Sequence, residues 1–145
     1  MLVSCVTGDG NILLDVAPDS TGVIPADQSA CLLKIGEWLK QNGESIYGTR
    51  GGPFNPAEYG GTTRKGKIIY VHVRQWPADG ALILPKVAAK LVGARLLIGG
   101  KVEAKQTNTG LEIAVAKADT VVALEFDADV MKIPAVDIAP KPASN

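Results

Sequence analysis

The spacing of apolar residues differs between the first third of the chain and the remainder. The first seven residues are mostly apolar and fit the end of a helix, and Gly8-Asp9-Gly10 predicts a turn. Residues 12–16 form a nearly continuous apolar run, which is typical of a strand covered on both faces in a parallel sheet or barrel. We therefore expect a buried strand at 12–16, followed by a polar loop.

A helical period is clearest between residues 26 and 42. Pro25 stands where a helix can begin, and Gly43 is a natural stop. Apolar residues recur at the spacing of one buried face: Cys31, Leu32, Ile35, Trp38 and Leu39. The pattern predicts a helix over 26–42 that packs Leu32, Ile35 and Leu39 against the strands that follow it.

After residue 44 the apolar period falls to near two. In the run at 67–76, Ile69, Val71 and Val73 alternate with Tyr70, His72 and Arg74. Further short apolar runs, cut by turn signals such as residues 77–80 and 108–110, occur at 81–84, 94–98, 102–105, 111–115 and 121–126. Several short strands at this spacing predict an antiparallel β-sandwich.

Two other segments are expected to lie at the surface. Residues 62–67 are basic and predict a solvated hairpin. Residues 128–145 contain Pro134, Pro140 and Pro142 and predict a loose tail. The fold class is thus mostly β: an antiparallel sandwich at 44–127, preceded by one strand–helix unit at 1–43 and followed by the tail.

A single strand–helix unit cannot bury both faces of its strand. The strand at 12–16 would leave backbone groups unpaired and apolar side chains uncovered, and such edges invite pairing with another chain. We therefore expect a homo-oligomer with residues 1–24 in or near the interface.

Charge and composition exclude several classes of partner. Fifteen basic residues balance fifteen acidic ones, so no nucleic-acid partner and no anionic membrane surface is expected. No apolar run approaches the roughly 18 residues of a membrane-spanning helix. The first six residues have no charged region and are too short for a signal peptide, which leaves the localisation unknown.

The cysteines and the single histidine predict no metal site and no cofactor. Cys5 and Cys31 lack a CxxC spacing, and His72 is the only histidine. The cysteines are expected to be two small buried apolar residues, with a disulfide as the alternative.

The order of several short sequence segments resembles that in glycoside hydrolase family 29, the α-L-fucosidases. These segments lie at residues 10–19, 21–25, 31–40 and 42–50, and the similarity continues through Gly51-Gly52-Pro53-Phe54 and Trp76-Pro77 to about residue 127. The resemblance implies that residues 1–43 are the last unit of a (β/α)8 barrel and that a β-sandwich follows. It also implies a secreted or periplasmic enzyme.

The resemblance further implies retaining hydrolysis of terminal α-L-fucosyl groups by an aspartate nucleophile and usually a glutamate acid/base. In a retaining glycosidase the two carboxyls stand about 5–5.5 Å apart. In the family both lie upstream of the segments matched here, so no catalytic residue is carried over to this chain. The implied substrate is a fucosylated glycan that the barrel binds.

Three residues are candidates for the site. The family commonly has Asn-Val-Gly-Pro where this chain has Asp15-Val16-Ala17-Pro18, so Asp15 is either a charged residue near the sugar pocket or a loop carboxylate that accepts backbone hydrogen bonds. Trp76 and Tyr59, with Phe54, either stack on a sugar ring or cover the edge of the sandwich. His72 is expected at a surface or interface.

Three functions are compatible with these features. The favoured one is part of an α-L-fucosidase, inactive alone because the catalytic carboxylates lie elsewhere. The second is a freestanding carbohydrate-binding or structural β-module, which has no need of the strand–helix unit. The third is a truncated oligomeric fucosidase with recruited carboxylates, Asp15 among them, although the family's catalytic segments are absent.

Overall fold

A computed structural model of the chain describes residues 1–78, 80–115 and 120–138, and of Val115 only the backbone. Two helices come first, α1 at Leu2–Thr7 and α2 at Ala26–Asn42, and a 3₁₀ turn at Gly43–Ser45 follows α2. Eight strands follow: β1 Arg50–Gly51, β2 Gly60–Lys65, β3 Ile68–Val73, β4 Ala81–Pro85, β5 Leu91–Leu96, β6 Val102–Gln106, β7 Gly110–Val115 and β8 Thr120–Phe126.

The strands form two antiparallel sheets, in the order β1-β2-β3-β8-β5 and β4-β7-β6. Alternate residues of β3 and β8 point between the sheets, and Ile69, Val71, Leu124 and Phe126 are almost completely buried there. This arrangement confirms the predicted sandwich. The strands predicted from alternation all occur, with ends shifted by one to three residues, because side chains of period two fit a sheet with one face in the core.

The outer face of the five-stranded sheet is also covered. Trp38 of α2 packs against Tyr70, Val121 and Ala123, which belong to β3 and β8. The predicted bounds of this helix are confirmed. Ile35 and Leu39 are half-buried as expected, but Leu32 is 37% exposed, so the covering face of α2 is centred near Trp38.

Helix α1 sits directly on β1 and β2, where the chain has small residues. A side-chain carbon at Gly61 would lie 2.6 Å from the Thr7 side chain, closer than carbon atoms approach. The hydroxyl of Thr7 donates back to the carbonyl oxygen of Val3 at 2.8 Å, so it needs no partner from the sheet. Glycine on β2 therefore lets α1 approach the sheet at van der Waals distance.

The predicted strand at 12–16 is wrong. Residues 10–19 have no regular secondary structure and pair with no strand among the described residues, and Leu13 is 88% exposed. An apolar run forms a strand only where a neighbouring strand supplies hydrogen-bond partners, and the described part of the chain places none beside it. Ile12 and Val16 are half-buried, while Leu14 is exposed.

Two segments expected at the surface are buried instead. Residues 60–65 form β2, which pairs with β3 in the predicted hairpin. Thr62 and Thr63 are fully buried there, so only residues 65–67 at its turn are solvated as predicted. Residues 128–138 are not a loose tail, because Val130 is completely buried and Val136 forms a parallel bridge with Phe54. The remaining predicted tail, with Pro140 and Pro142, lies outside the described residues, as does Asp79 of the 77–80 turn.

The cysteines also differ from expectation. Cys5 is half-buried and Cys31 is exposed on α2, and both are free thiols. Cys31 lies two turns before Trp38 on the same face of α2 and is nevertheless exposed. The predicted burial is therefore wrong for Cys31, and the alternative of a disulfide between the two cysteines is not formed.

Candidate functional site

Asp15 lies exposed in the segment before α2. The turn-forming role considered for it belongs to Asp19, whose Oδ1 accepts hydrogen bonds from the Thr21 hydroxyl at 2.6 Å, the Thr21 N–H at 2.8 Å and the Val23 N–H at 3.1 Å. These hydrogen bonds, that from the Thr21 hydroxyl above all, lower the pKa of Asp19. Among the described residues, Asp15 has no hydrogen-bond partner of the kind expected of a loop carboxylate, and it lines neither the pocket beside α1 nor the groove described next.

Tyr59 and Trp76 lie in the wall of one groove of about 800 Å³. The groove runs along β4, all five residues of which line it, and its other side is formed by residues 57–59 and 136–138. It is larger than the pocket of about 220 Å³ beside α1. The structure therefore brings together two of the three candidate residues, and Asp15 is not among the residues that line the groove.

The start of β2 and the end of β3 hold Tyr59 in place. The carbonyl oxygen of Tyr59 accepts hydrogen bonds from the N–H groups of Arg74 at 2.8 Å and Gln75 at 3.2 Å. Gly60 follows with a φ of +139°, and a side chain there would overlap the carbonyl oxygen of His72, so only glycine allows this turn into β2. The turn places the Tyr59 ring against the core and the groove.

The hydroxyl of Tyr59 is buried and has no hydrogen-bond partner among the described residues. The side chain as a whole is 6% exposed. Burial raises the pKa of Tyr59, because a phenolate would lose its hydration. A buried hydroxyl without a partner costs about 1–3 kcal/mol, so the neutral phenol is left with an unmet requirement for a hydrogen bond.

Trp76 is half-buried and packs against the sandwich core. Phe54 is completely buried in that core and is no longer a candidate for stacking on a sugar. The Thr62 hydroxyl accepts from the Phe54 N–H at 3.1 Å and donates to the Phe54 carbonyl oxygen at 2.9 Å, which fixes the chain just before residues 57–59.

The charged residues lining the groove are all acidic. Glu58 and Asp137 are both exposed there, and neither lysine, arginine nor histidine is among its lining residues. Asn55 Nδ2 donates to Asp137 Oδ1 at 2.6 Å, and the Asn55 N–H donates to the Val136 carbonyl oxygen at 2.9 Å. These bonds hold residues 136–138, which form one wall of the groove, beside Asn55.

His72 is buried, contrary to the expectation of a surface position, because the 3₁₀ turn covers its face of β3. The Thr63 hydroxyl donates its one hydrogen to the Ser45 carbonyl oxygen at 2.6 Å, so His72 Nε2, 3.1 Å away, must carry the proton and donate to Thr63 Oγ1. Nδ1 is buried and has no partner among the described residues. Burial, opposed by a backbone hydrogen bond with Ser45, lowers the pKa of His72 to about 4.

One ion pair that the sequence did not indicate joins α1 to β1. Arg50 donates through Nε to Asp9 Oδ1 at 2.8 Å and through Nη2 to Asp9 Oδ2 at 2.5 Å. The Gly51 N–H also donates to Asp9 Oδ1 at 2.8 Å. The hydrogen bond from Arg50 is the main reason that the pKa of Asp9 falls to about 2.

Neither a metal centre nor a membrane span is visible in the described ranges. Residues 1–78, 80–115 and 120–138 contain no group of three histidine, cysteine or acidic side chains placed to hold a metal ion. Within the same ranges, neither helix has the length and apolar character needed to cross a bilayer.

Comparisons with known proteins agree on one family. The sequence model described as Alpha-L-fucosidase matches residues 1–44. The α-L-fucosidase of Dictyostelium discoideum is 41% identical over 105 residues, which cover 65% of this chain and 22% of that protein. This chain thus spans about a fifth of that relative's length.

Solved structures give the same result for the fold. α-L-Fucosidase isoenzyme 1 from Paenibacillus thiaminolyticus superposes with a TM-score of 0.75 at 30% identity, covering 86% of this chain and 32% of that one. The α-L-fucosidase from Vibrio sp. strain EJY3 superposes with a TM-score of 0.78 at 26% identity, covering 88% of this chain and 25% of that one. The chain therefore belongs to the α-L-fucosidase family.

Proposed function

We propose that this chain works as one part of an α-L-fucosidase. In this proposal residues 1–44 complete a catalytic barrel supplied by sequence outside the chain, and the sandwich braces that barrel. The complete assembly hydrolyses terminal α-L-fucosyl groups of glycans with retention of configuration, in a secreted or periplasmic setting. The match of the family's sequence model to residues 1–44 supports the assignment of these residues to the barrel.

The observation that carries the proposal is the apolar surface of the segment before and on α2. Leu13 is 88% exposed, Leu33 69% and Val23 59%, and Leu14 and Ile24 add to the same part of the chain. Single exposed apolar residues are ordinary, but a concentration within one short segment marks a contact surface. A barrel that contributes neighbouring strands and helices to residues 10–33 covers these side chains and gives the backbone at 12–16 its hydrogen-bond partners.

The catalytic carboxyls belong, in this proposal, to the barrel and not to this chain. A retaining glycosidase needs two carboxyls about 5–5.5 Å apart on either side of the scissile bond. Asp15 is exposed in the segment before α2, outside the groove that holds Tyr59 and Trp76. The chain by itself is therefore expected to bring about no turnover.

A second copy of the chain is the alternative cover for the same surface when no barrel is present. In that case residues 1–24 lie in a homo-oligomer interface. Burial of apolar side chains drives both associations, at about 25 cal/mol per Å² of apolar surface removed from water.

A chimera tests the proposal. The 105-residue matched region of the Dictyostelium discoideum enzyme is replaced by the corresponding part of this chain, and hydrolysis of an aryl α-L-fucoside is measured. We expect the chimera to be active and the chain alone to be inactive. Leu33→Asp in the chimera should lower activity at least tenfold, whereas Val92→Asp, at an apolar residue of the sandwich that is 56% exposed, should leave it unchanged.

Two results would contradict the proposal. One is a folded chimera without activity, which would mean that residues 1–44 do not complete a barrel. The other is robust turnover by the chain alone that Asp15→Asn abolishes, which would favour a truncated enzyme with recruited carboxylates.

A further inference from the structure

We infer that the groove along β4 binds a neutral sugar ring. The site lies entirely within the sandwich, with Tyr59 and Trp76 in its wall, Ile83 on β4, and Glu58 and Asp137 at its exposed positions. That the ring is an α-L-fucosyl unit rests on the proposed function. That a sugar binds there rests on the groove itself.

The dimensions and walls of the groove fit a monosaccharide or disaccharide. Its volume of about 800 Å³ falls within the ~300–1,000 Å³ typical of small-molecule sites. Most of its lining is apolar, and Trp76 and Tyr59 are aromatic. One face of a pyranose ring consists of C–H groups, which pack against aromatic and aliphatic surfaces while the hydroxyls point to the rim.

The orphan hydroxyl of Tyr59 is an independent sign of a ligand. The Tyr59 side chain is 94% buried, since 6% is exposed, yet its hydroxyl has no partner among the described residues. Buried polar groups in native proteins almost always have a hydrogen-bond partner. Because this hydroxyl is covered, a sugar hydroxyl in the groove supplies the partner only when the Tyr59 ring turns towards it; such a hydroxyl can both donate and accept.

The charges select a neutral sugar over an anionic one. Glu58 and Asp137 repel uronic or sialic acids, and no basic residue among the described lining of the groove offsets them. The same carboxylates accept hydrogen bonds from sugar hydroxyls, and such charge-assisted bonds are stronger than neutral ones. The apolar side chains of β4, Ile83 above all, suit a 6-deoxy sugar, whose methyl group replaces a hydroxymethyl group.

The two tryptophans of the chain allow a direct test. Trp76 lines the groove, whereas Trp38 packs on the opposite face of the five-stranded sheet. Methyl α-L-fucopyranoside is titrated into the full 145-residue chain labelled with ¹⁵N, and the two indole N–H signals are assigned with Trp76→Phe and Trp38→Phe. We expect the Trp76 signal to shift with saturation and the Trp38 signal to stay in place.

Matched ligands and variants sharpen the result. Methyl α-L-galactopyranoside, which differs only in carrying a 6-hydroxyl, should bind several-fold more weakly, and the methyl glycoside of N-acetylneuraminic acid should not bind. Tyr59→Phe removes one oxygen atom and should weaken binding about fivefold, and Trp76→Leu should weaken it about tenfold. Trp38→Phe should leave the affinity unchanged.

The inference is overturned if the Trp76 signal does not move up to ~50 mM glycoside, well above the ~1 mM dissociation constant of a weak site. It is equally overturned if that signal ignores the glycoside but shifts when residues 139–145 are deleted, since the groove would then belong to the chain's own C-terminal residues. Binding without activity in the chimera would leave the groove assigned and reject the proposed function. Activity without binding would do the reverse.

Discussion

Asp9 and Arg50 form a two-point ion pair across 41 residues of sequence, and the same carboxylate accepts the N–H of Gly51. Asp9 has a φ of +61°, a conformation that aspartate tolerates better than most residues. The turn after α1 is thereby fastened to the first strand of the sandwich. This contact couples the N-terminal segment to the β domain.

Replacing Asp9 should loosen this connection. Asp9→Ala removes both hydrogen bonds to Arg50 and leaves the Gly51 N–H without its acceptor, so we expect a loss of about 1–2 kcal/mol in the free energy of unfolding, modest because the pair is exposed. Urea denaturation measures it. Asp9→Asn tolerates the positive φ and keeps one oxygen acceptor, and should lose less. Equal losses in the two variants would show that the lost charge accounts for the whole effect and that the oxygen acceptor and the backbone conformation add nothing.

His72 should make stability depend on pH. Its pKa is about 4 in the folded chain and near 6.5 when exposed, so between pH 6.5 and 4 the unfolded state takes up a proton that the folded state does not. The contribution is complete above pH 6.5 and falls by up to about 3 kcal/mol as the pH drops to 4. We expect His72→Gln to flatten the pH dependence of the unfolding free energy over this range. Identical slopes in the two proteins would refute the buried neutral imidazole.

Asp9 should act in a lower pH window. Its pKa is lowered to about 2, so its stabilising contribution is complete above about pH 4 and is lost as the pH falls towards 2. In the His72→Gln background, the remaining acid sensitivity below pH 4 should shrink further when Asp9→Asn is added. Acid titration followed by circular dichroism checks this, and an unchanged curve would argue against the ion pair in solution.

Two hydroxyls of similar burial should respond in opposite directions. Tyr59→Phe removes a hydroxyl without a partner and should leave the stability of the free chain unchanged or raise it by up to about 1 kcal/mol. Thr62→Val removes a hydroxyl that bonds both backbone groups of Phe54 and should cost about 1–3 kcal/mol. Thermal unfolding distinguishes them. A clear loss for Tyr59→Phe would mean that its hydroxyl already has a partner in the free chain.

The apolar segment before α2 should cause self-association of the isolated chain. Leu13 and Leu33 are the most exposed leucines, and changing both to aspartate should shift the chain towards the monomer in light scattering. The matched change Val92→Asp on the sandwich should not. A monodisperse monomer of the unmodified chain at tens of micromolar would show that residues 1–24 need no cover.

The alternation of residues predicts which side of a strand faces the core but not what lies over its other side. Ile69, Val71 and Val73 were correctly placed between the sheets, whereas His72 was expected at the surface. Its cover comes from Ser45, 27 positions earlier, so no local pattern around β3 reports it. The burial of β2, which is built from glycine, threonine and basic residues, does not follow from the predicted hairpin, because it depends on neighbours and not on apolar character.

The groove shows the same limit. Tyr59 and Trp76 could be named as candidates from their residue type, but their common groove depends on the pairing of β2 with β3, which lies between them in sequence. The apolar run at 12–16 shows the opposite error, a predicted strand that does not form. Its composition suits a strand that has partner strands beside it, and the described chain contains none for it.

Burial of both faces of β3 limits where this chain can be cut. A recombinant product that began at residue 44 would keep all eight strands but lose Trp38 and α1, which leaves Tyr70, Val121 and Ala123 without their apolar cover. Such an excised sandwich would expose an apolar surface on its central strands to solvent and would be prone to precipitate. A soluble expression boundary therefore lies before α1, even though the strand-rich part of the sequence starts much later.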